Sequence, residues 1–262
     1  SGLLSKLQLG QRKPSPTGIS PEPSPTGISP ELCSAFPDEY WEQHDREGKF
    51  PDEYFNAMAE AGWLGIAIPE EYGGAGKGLQ EAAIILEEVA ASGAAMNGAT
   101  PVHLSIFGMH PVVKHGSNDM CEKYLPAVAE GKLHVAFGVT EPNAGSDTTS
   151  IETFARLQGD HYIVRGRKVW TTKALESERV LLLVRTQTKE EVDRKTEGMT
   201  LLLAELQKPE VSISAIPKLG RNAVRICEVV YDDLKVSVED RVGEEGQGFR
   251  YLLDGLNDLN WN

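Results

Sequence analysis

The chain has 262 residues, with 26 Lys and Arg against 39 Asp and Glu, a formal net charge of −13. That length supplies one large domain or two ordinary ones, and the acidic balance disfavours a nucleic-acid duplex or an anionic membrane as the main partner, since both demand clustered Lys and Arg, while leaving room for a local basic pocket that takes a phosphorylated ligand. The longest apolar run, Val180 to Val184, is strand-sized and far short of the roughly 18 to 20 residues that cross a bilayer, so no membrane span is expected. Cys33, Cys121 and Cys227 are too far apart for a disulfide framework or a metal-ligand spacing, which favours a reducing, intracellular compartment and no metal.

Residues 1–35 read differently from the rest. Pro14-Ser-Pro-Thr-Gly-Ile-Ser-Pro-Glu22 recurs unchanged as Pro23 to Glu31, and Pro, Ser and Gly at this density bury too little apolar surface to offset chain entropy. A disordered or polyproline-like tail is expected. Residues 1–13 carry Lys6, Arg12 and Lys13, several leucines and no acid, which suits a mitochondrial presequence and favours a mitochondrial over a cytoplasmic address.

Residues 36–133 have helical periodicity. Pro51 suits a first turn, Asp52 and Glu53 the positive end of its dipole, and Gly62 a stop. From Leu79 to Ser92, Ala82, Ile85, Leu86 and Val89 fall on one face. Residues 99–115 are apolar and interrupted by Pro111, and Ser117 or Asn118 can cap a helix ending at Gly131. Gly73 to Gly78 has the look of a phosphate loop but lacks Ser or Thr after Lys77, and the third Gly of a dinucleotide fingerprint is replaced by Leu79. A flexible helix–helix connection is expected there. His103 and His110 can share a helix face in a structural role.

Residues 134–245 switch to period two. Segments 153–157 and 161–165 flank Gly159-Asp160, a strong hairpin signal. Further strands are expected at 134–140, 168–172, 179–186, 199–206, 211–216 and 225–232. Residues 246–262 begin a helix that stops within about four turns. The predicted class is α+β: an N-terminal helical domain, an antiparallel β-barrel or sandwich domain, and the start of a C-terminal helical domain.

Two segments carry chemistry. Gly138-Val-Thr-Glu-Pro-Asn-Ala-Gly-Ser-Asp147 follows a strand, and Pro142, Ala144 and Gly145 allow a tight turn whose N–H groups can converge on an anion, with Thr140 and Ser146 as hydroxyl donors. In Gly166-Arg-Lys-Val-Trp-Thr-Thr-Lys173, alternation puts Trp170 and Thr172 on one face, where an indole and a hydroxyl can cover a planar ring and bond its edge. As residues alone, the first segment equally suits a structural turn, and a strand Trp more often fills a core.

Together these segments resemble the acyl-CoA dehydrogenase family, whose pattern of Gly, aliphatic, Ser or Thr, Glu, two residues, small residue, Gly, Ser or Thr, Asp is matched throughout 138–147. Trp63-Leu-Gly-Ile-Ala-Ile-Pro-Glu-Glu-Tyr-Gly-Gly74 is similar to the family's N-terminal domain. Lys218-Leu-Gly-Arg and Arg241-Val-Gly-Glu-Glu-Gly-Gln-Gly-Phe249 are similar to the end of its middle domain. The resemblance implies FAD-dependent oxidation of an acyl-CoA thioester to the 2-enoyl-CoA, with an electron-transfer flavoprotein or oxygen as acceptor. By position, Phe137, Val139 and Thr140 would line the flavin, Thr140 bonding its pyrimidine side. Gly145 would belong to the cradling loop, and Ser146 would contact the FAD pyrophosphate and the acyl-CoA. Trp170 would pack on the flavin face and Thr172 would bond near N5, while Glu141 and Asp147 would shape the loop.

Departures from the family pattern are Lys173, where many members have Asn, and Val224-Arg225, which replace small hydroxyl residues. Leu259 and Asn260 stand where a subset of the family has its catalytic Glu, so no catalytic residue is assigned. The expectation is a truncated product with impaired turnover and an open cofactor cleft, for which the homo-oligomer the resemblance implies is disfavoured. Its alternatives are an inactive FAD-binding fragment or assembly partner, and another flavin oxidase or monooxygenase on the same scaffold.

Overall fold

The computed structural model describes residues 32–33 and 35–257, so the expectations for the repeat, for residues 1–13 and for Leu259 and Asn260 lie outside the described residues. The helical layer comprises α1 (Asp38–Glu47), α2 (Asp52–Glu60), α3 (Leu79–Val89), α4 (Ala95–Ile106), α5 (His110–His115) and α6 (Asn118–Ala129). Their limits have local causes. Pro37 and Pro51 stand at N-caps, and acids fill the first turns of α1 and α2. Gly48 and Gly62 end these helices in the left-handed region, at φ 61° and 80°. Met120 N–H donates to Ser117 Oγ (3.2 Å) to cap α6.

Three expectations about this layer are corrected. The helix expected through Ser92 ends at Val89, where a π-turn (Ala90–Ala94) is broken by Gly93 at φ 96°. His103 and His110 do not share a face. They fall on α4 and α5, because the chain breaks before Pro111 can occupy a first turn. The Gly73–Gly78 connection is pinned, not flexible: Ala75, Gly76 and Lys77 donate N–H bonds of 2.9–3.0 Å to Gly65, Ile68 and Ile66. A Cβ on Gly74 would stand 2.0 Å from the Ile68 carbonyl oxygen, so that approach requires glycine.

Eight strands among the described residues follow: β1 (Val135–Gly138), β2 (Phe154–Gln158), β3 (His161–Thr172), β4 (Arg179–Arg185), β5 (Met199–Glu205), β6 (Val211–Ala215), β7 (Ile226–Ser237) and β8 (Arg241–Val242). They form one sheet in the order β6-β7-β3-β2-β4-β5-β8, with β1 beside β4. Most pairings are antiparallel, but β1 and β2 each run parallel to β4, so the sheet is mixed. The β2–β3 hairpin turns at Gly159 (φ 64°), and the two strands expected at 161–165 and 168–172 are one.

Burial explains the contrast between continuous and alternating sequence patterns. Leu181, Leu183, Leu201 and Leu203 of β4 and β5 pack with Val112, Leu125 and Val128 of the helical layer. Their neighbours Val180, Leu182, Val184, Leu202 and Ala204 pack with Tyr162, Val164, Val229 and Tyr231 of β3 and β7. Both faces of β4 and β5 are therefore apolar, whereas β3 and β7 bury one face and alternate. A last helix, α7 (Gly248–Asn257), returns to the helical side, where Tyr251 stacks on His115 at 4.0 Å between centroids. Among the described residues no helix is long and apolar enough to cross a membrane.

Candidate functional site

The loop after β1 is held from beneath by a buried cation. Lys168, fully buried on β3, donates from Nζ to the Val139 carbonyl (2.9 Å) and to Glu141 Oε1 (2.7 Å). Glu141, itself buried, also accepts the backbone N–H groups of Glu152 (2.7 Å) and Thr153 (3.0 Å). Burial alone would raise the Glu141 carboxyl, but the Lys168 ammonium and these donors outweigh it and hold it below the usual range. Burial pulls Lys168 down to about 8, with Glu141 opposing. The pair therefore stays ionised at neutral pH and ties both ends of the loop to β3.

Above this anchor the backbone closes on itself. Glu141 and Ala144 exchange N–H···O=C bonds of 3.0 and 3.1 Å, the tight turn expected from Pro142 and Ala144. Asp147 accepts from the Ser150 hydroxyl (2.6 Å) and from Thr149, which lowers its carboxyl pKa and turns it inward along the loop. Arg185, also buried, donates to the carbonyls of Ile151, Thr149, Glu197 and Lys195 and fixes the far side of the loop. Gly166 completes the fit, because a Cβ there (φ 150°) would lie 2.6 Å from Thr153 Cα.

The end of β3 is distorted. Lys168 pairs with Val229 and Thr171 with Cys227, so Val169 and Trp170 together oppose Glu228 as a β-bulge. Trp170 adopts φ 61°, a left-handed conformation costing on the order of 1–2 kcal/mol for a side chain of this size. The bulge turns the ring outward: Trp170 is 57% exposed, Thr171 is buried and Thr172 half-buried. Simple alternation from Tyr162, Val164 and Lys168 would have put Trp170 and Thr172 inside. Alternation by itself set no direction for the face that Trp170 and Thr172 share; its outward direction is a consequence of the bulge.

A single hydrogen bond joins loop and bulge. Val169 N–H donates to the Thr140 carbonyl at 2.9 Å, which seats Thr140 beside the residue preceding Trp170. The other predicted residues are spread around this contact. Phe137 and Val139 are half-buried against the core on the helical side of the sheet. Gly145 and Ser146 form the exposed tip, where nothing lies within 4 Å of a Cβ on Gly145. No hydrogen bond joins Gly145 or Ser146 to β3 among the described residues. A cavity of about 310 Å³ between Asp45, Lys218 and Arg225 lies elsewhere and is lined by none of these residues. Among the described residues no group of His, Cys, Asp or Glu could hold a metal ion.

Sequence reasoning missed Lys168 and Arg185. For Lys168 a signal existed, since period two from Tyr162 and Val164 leads to it on the buried face. Lys173, noted as a departure from the family pattern, is fully buried at the end of β3, with Nζ 4.9 Å above the Phe55 ring of α2.

Comparison with known proteins follows the same division of the chain. The model of the acyl-CoA dehydrogenase N-terminal domain matches residues 31–132, and that of the middle domain matches residues 136–234, together well over half of the chain. The chain belongs to the acyl-CoA dehydrogenase family. It is 32% identical over 216 residues to the mitochondrial isovaleryl-CoA dehydrogenase of Pongo abelii, covering 81% of this chain and 50% of that protein. It is 31% identical over 223 residues to a subunit of the caffeyl-CoA reductase–Etf complex of Acetobacterium woodii, covering 84% of this chain and 57% of that one. A glutaryl-coenzyme A dehydrogenase solved with glutaryl-CoA superposes with a TM-score of 0.81 at 29% identity, over 87% of this chain and 58% of the other. The chain thus spans about half the length of the curated relatives it matches.

Proposed function

We propose that this chain forms the cofactor-holding part of an FAD-dependent acyl-CoA dehydrogenase, which oxidises an acyl-CoA thioester to the 2-enoyl-CoA. The observation that carries the reading is the Thr140–Val169 hydrogen bond, which sets a loop of small residues against an exposed, deliberately bulged indole. The site fits the group on its own chemistry. Trp170 offers an apolar face large enough for a planar ring, Thr140, Ser146 and Thr172 offer neutral donors, and both loop carboxylates are occupied, Glu141 by Lys168 and Asp147 by Ser150 and Thr149. Gly145 leaves the loop tip open to a phosphate.

FAD, when bound, supplies the hydride acceptor of this reaction class. The chain's own residues would do the positioning. Trp170 would cover the ring, Thr172 and Thr140 would bond its edge, Ser146 would meet the pyrophosphate and the acyl-CoA, and Phe137 and Val139 would back the loop. Lys168 and Glu141 would keep this surface in place before any ligand arrives, so that little ordering entropy is lost on binding. An electron-transferring flavoprotein, the partner that the name of the Acetobacterium woodii relative carries, is the acceptor this reading favours over oxygen.

Purified protein titrated with FAD tests the reading through flavin fluorescence and visible absorbance. A complex is expected that Trp170→Ala weakens roughly tenfold, the loss of one stacked aromatic contact. Anaerobic bleaching of the bound flavin by butyryl-CoA or isovaleryl-CoA then identifies the thioester as donor. Absence of flavin binding, or binding indifferent to Trp170, overturns it.

A further inference from the structure

Lys173 has no place in the reading above, yet it is the most unusual lysine among the described residues. Its side chain is fully buried, and its Nζ has no hydrogen-bond partner among the described residues. Its backbone is clamped on both sides: the N–H donates to the Arg225 carbonyl (2.9 Å), and the carbonyl accepts from the Ser177 hydroxyl (2.7 Å). Like Trp170 it is left-handed, at φ 64°, so Thr171 and Thr172 are strung between two strained residues. The side chain runs from this clamp into the helical layer and ends over the Phe55 ring, 4.9 Å from its centroid.

We propose that Lys173 is a positioning residue, a wedge between α2 and the end of β3 whose protonation adjusts the Trp170–Thr172 turn that faces the cofactor. The part concerning the cofactor rests on the function proposed above. The amine form lies among apolar neighbours at a smaller desolvation penalty than the ammonium, which is drawn onto the Phe55 face and towards acidic groups. Titratable groups of both signs face this lysine from every element packed against it. The segment after β3 presents Glu176 and Glu178, the lead-in to β1 presents His134, and the segment before β7 presents Arg225. Asp52 at the start of α2, Lys218 and Cys227 act through Glu176. Burial drives Lys173 down to about 7, against the pull of Glu176 and Glu178. It drives His134 down to about 4, with Lys173 adding to the effect, so His134 is neutral in the range where Lys173 changes charge.

Tryptophan emission of the full chain without cofactor, followed over roughly pH 5.5 to 8.5, is the direct test, since a single site titrates within about 1.5 units of its pKa. A transition centred near 7 is expected in the unaltered chain, absent from Lys173→Met and from Trp170→Phe, and shifted to lower pH in Glu176→Gln. A merely structural lysine would leave no pH-dependent signal to remove. A transition that survives Lys173→Met, or that Glu176→Gln abolishes, overturns the proposal. So does a flat profile in the unaltered chain, a result that stands even if the Met variant fails to fold. With FAD added, the same midpoint is expected in the flavin spectrum. A chain whose Trp170 titrates but which takes up no FAD refutes the functional reading and leaves the wedge standing. A bound flavin blind to that transition refutes the link to the cofactor.

Discussion

Lys168 and Lys173 stand five residues apart, both fully buried, on either side of the same bulge. Lys168 enters a complete set of partners, a carbonyl and a carboxylate that is itself bonded to two further N–H groups. Lys173 enters an aromatic face and meets no hydrogen-bond acceptor among the described residues. Removing a buried charge from water is costly, and the cost is recovered where the geometry returns hydrogen bonds. The first lysine therefore acts as a fixed anchor, and the second holds its proton loosely. A rigid loop and an adjustable turn thus lie side by side on the proposed cofactor face.

The largest expected effect sharpens this contrast. Lys168→Met strands the Glu141 carboxylate in the interior and is expected to cost about 3–5 kcal/mol in urea unfolding, with FAD affinity lost as the loop loosens. Lys168→Met combined with Glu141→Leu should recover much of that loss. If the single variant loses less than about 1 kcal/mol, the pair is not an anchor.

Lys173→Met should act in the opposite direction. The folded pKa of Lys173 lies below the unfolded value, so the fold disfavours the proton: the penalty is complete below about pH 7 and fades as pH rises towards 10.5. The variant is expected to gain about 1–4 kcal/mol at pH 6 and visibly less at pH 9.5, measured as paired thermal melts. Equal gains at both pH values would point to packing instead of charge.

His134 contributes a smaller dependence of the same sign. It is kept neutral by burial and by Lys173, so the unfolded chain takes up a proton that the native chain refuses as pH falls from about 6.5 to about 4. A loss on the order of 1 kcal/mol by pH 5 is expected, given its partial exposure, and His134→Phe should remove it. Imidazole resonances that titrate near 6.5 in the folded protein would contradict this. Ser146→Ala should be the mildest change. At the exposed loop tip it is expected to leave stability within about 0.5 kcal/mol, while FAD binding weakens; a large drop in melting temperature would mean that the tip is structural.

Much of the architecture could be read from residue order. Gly159-Asp160 between alternating segments marked the β2–β3 hairpin, and strands were expected at 179–186 and 199–206, where β4 and β5 lie; that both faces of these two are covered came from the packing. The Gly138–Asp147 pattern located the loop, and Trp170 and Thr172 the strand beside it. The parallel entry of β1 beside β4 was not legible, because it depends on where the helical layer hands the chain to the sheet. Nor was the Val169–Trp170 bulge, because two residues opposing Glu228 is a property of β3 and β7 in register, not of β3.

Local periodicity, capping residues and the small-residue loop are encoded over a few neighbouring positions, and so the order of helices and strands and the place of the proposed cofactor loop were set by the residues alone. Which way Trp170 points, and whether a lysine lies in water or in the core, turned on a parity change. One extra residue in β3 reverses inside and outside for everything that follows, and it carries Lys173 from the solvent face to the Phe55 ring. That reversal comes from strand pairing across the sheet, which no stretch of neighbouring residues contains.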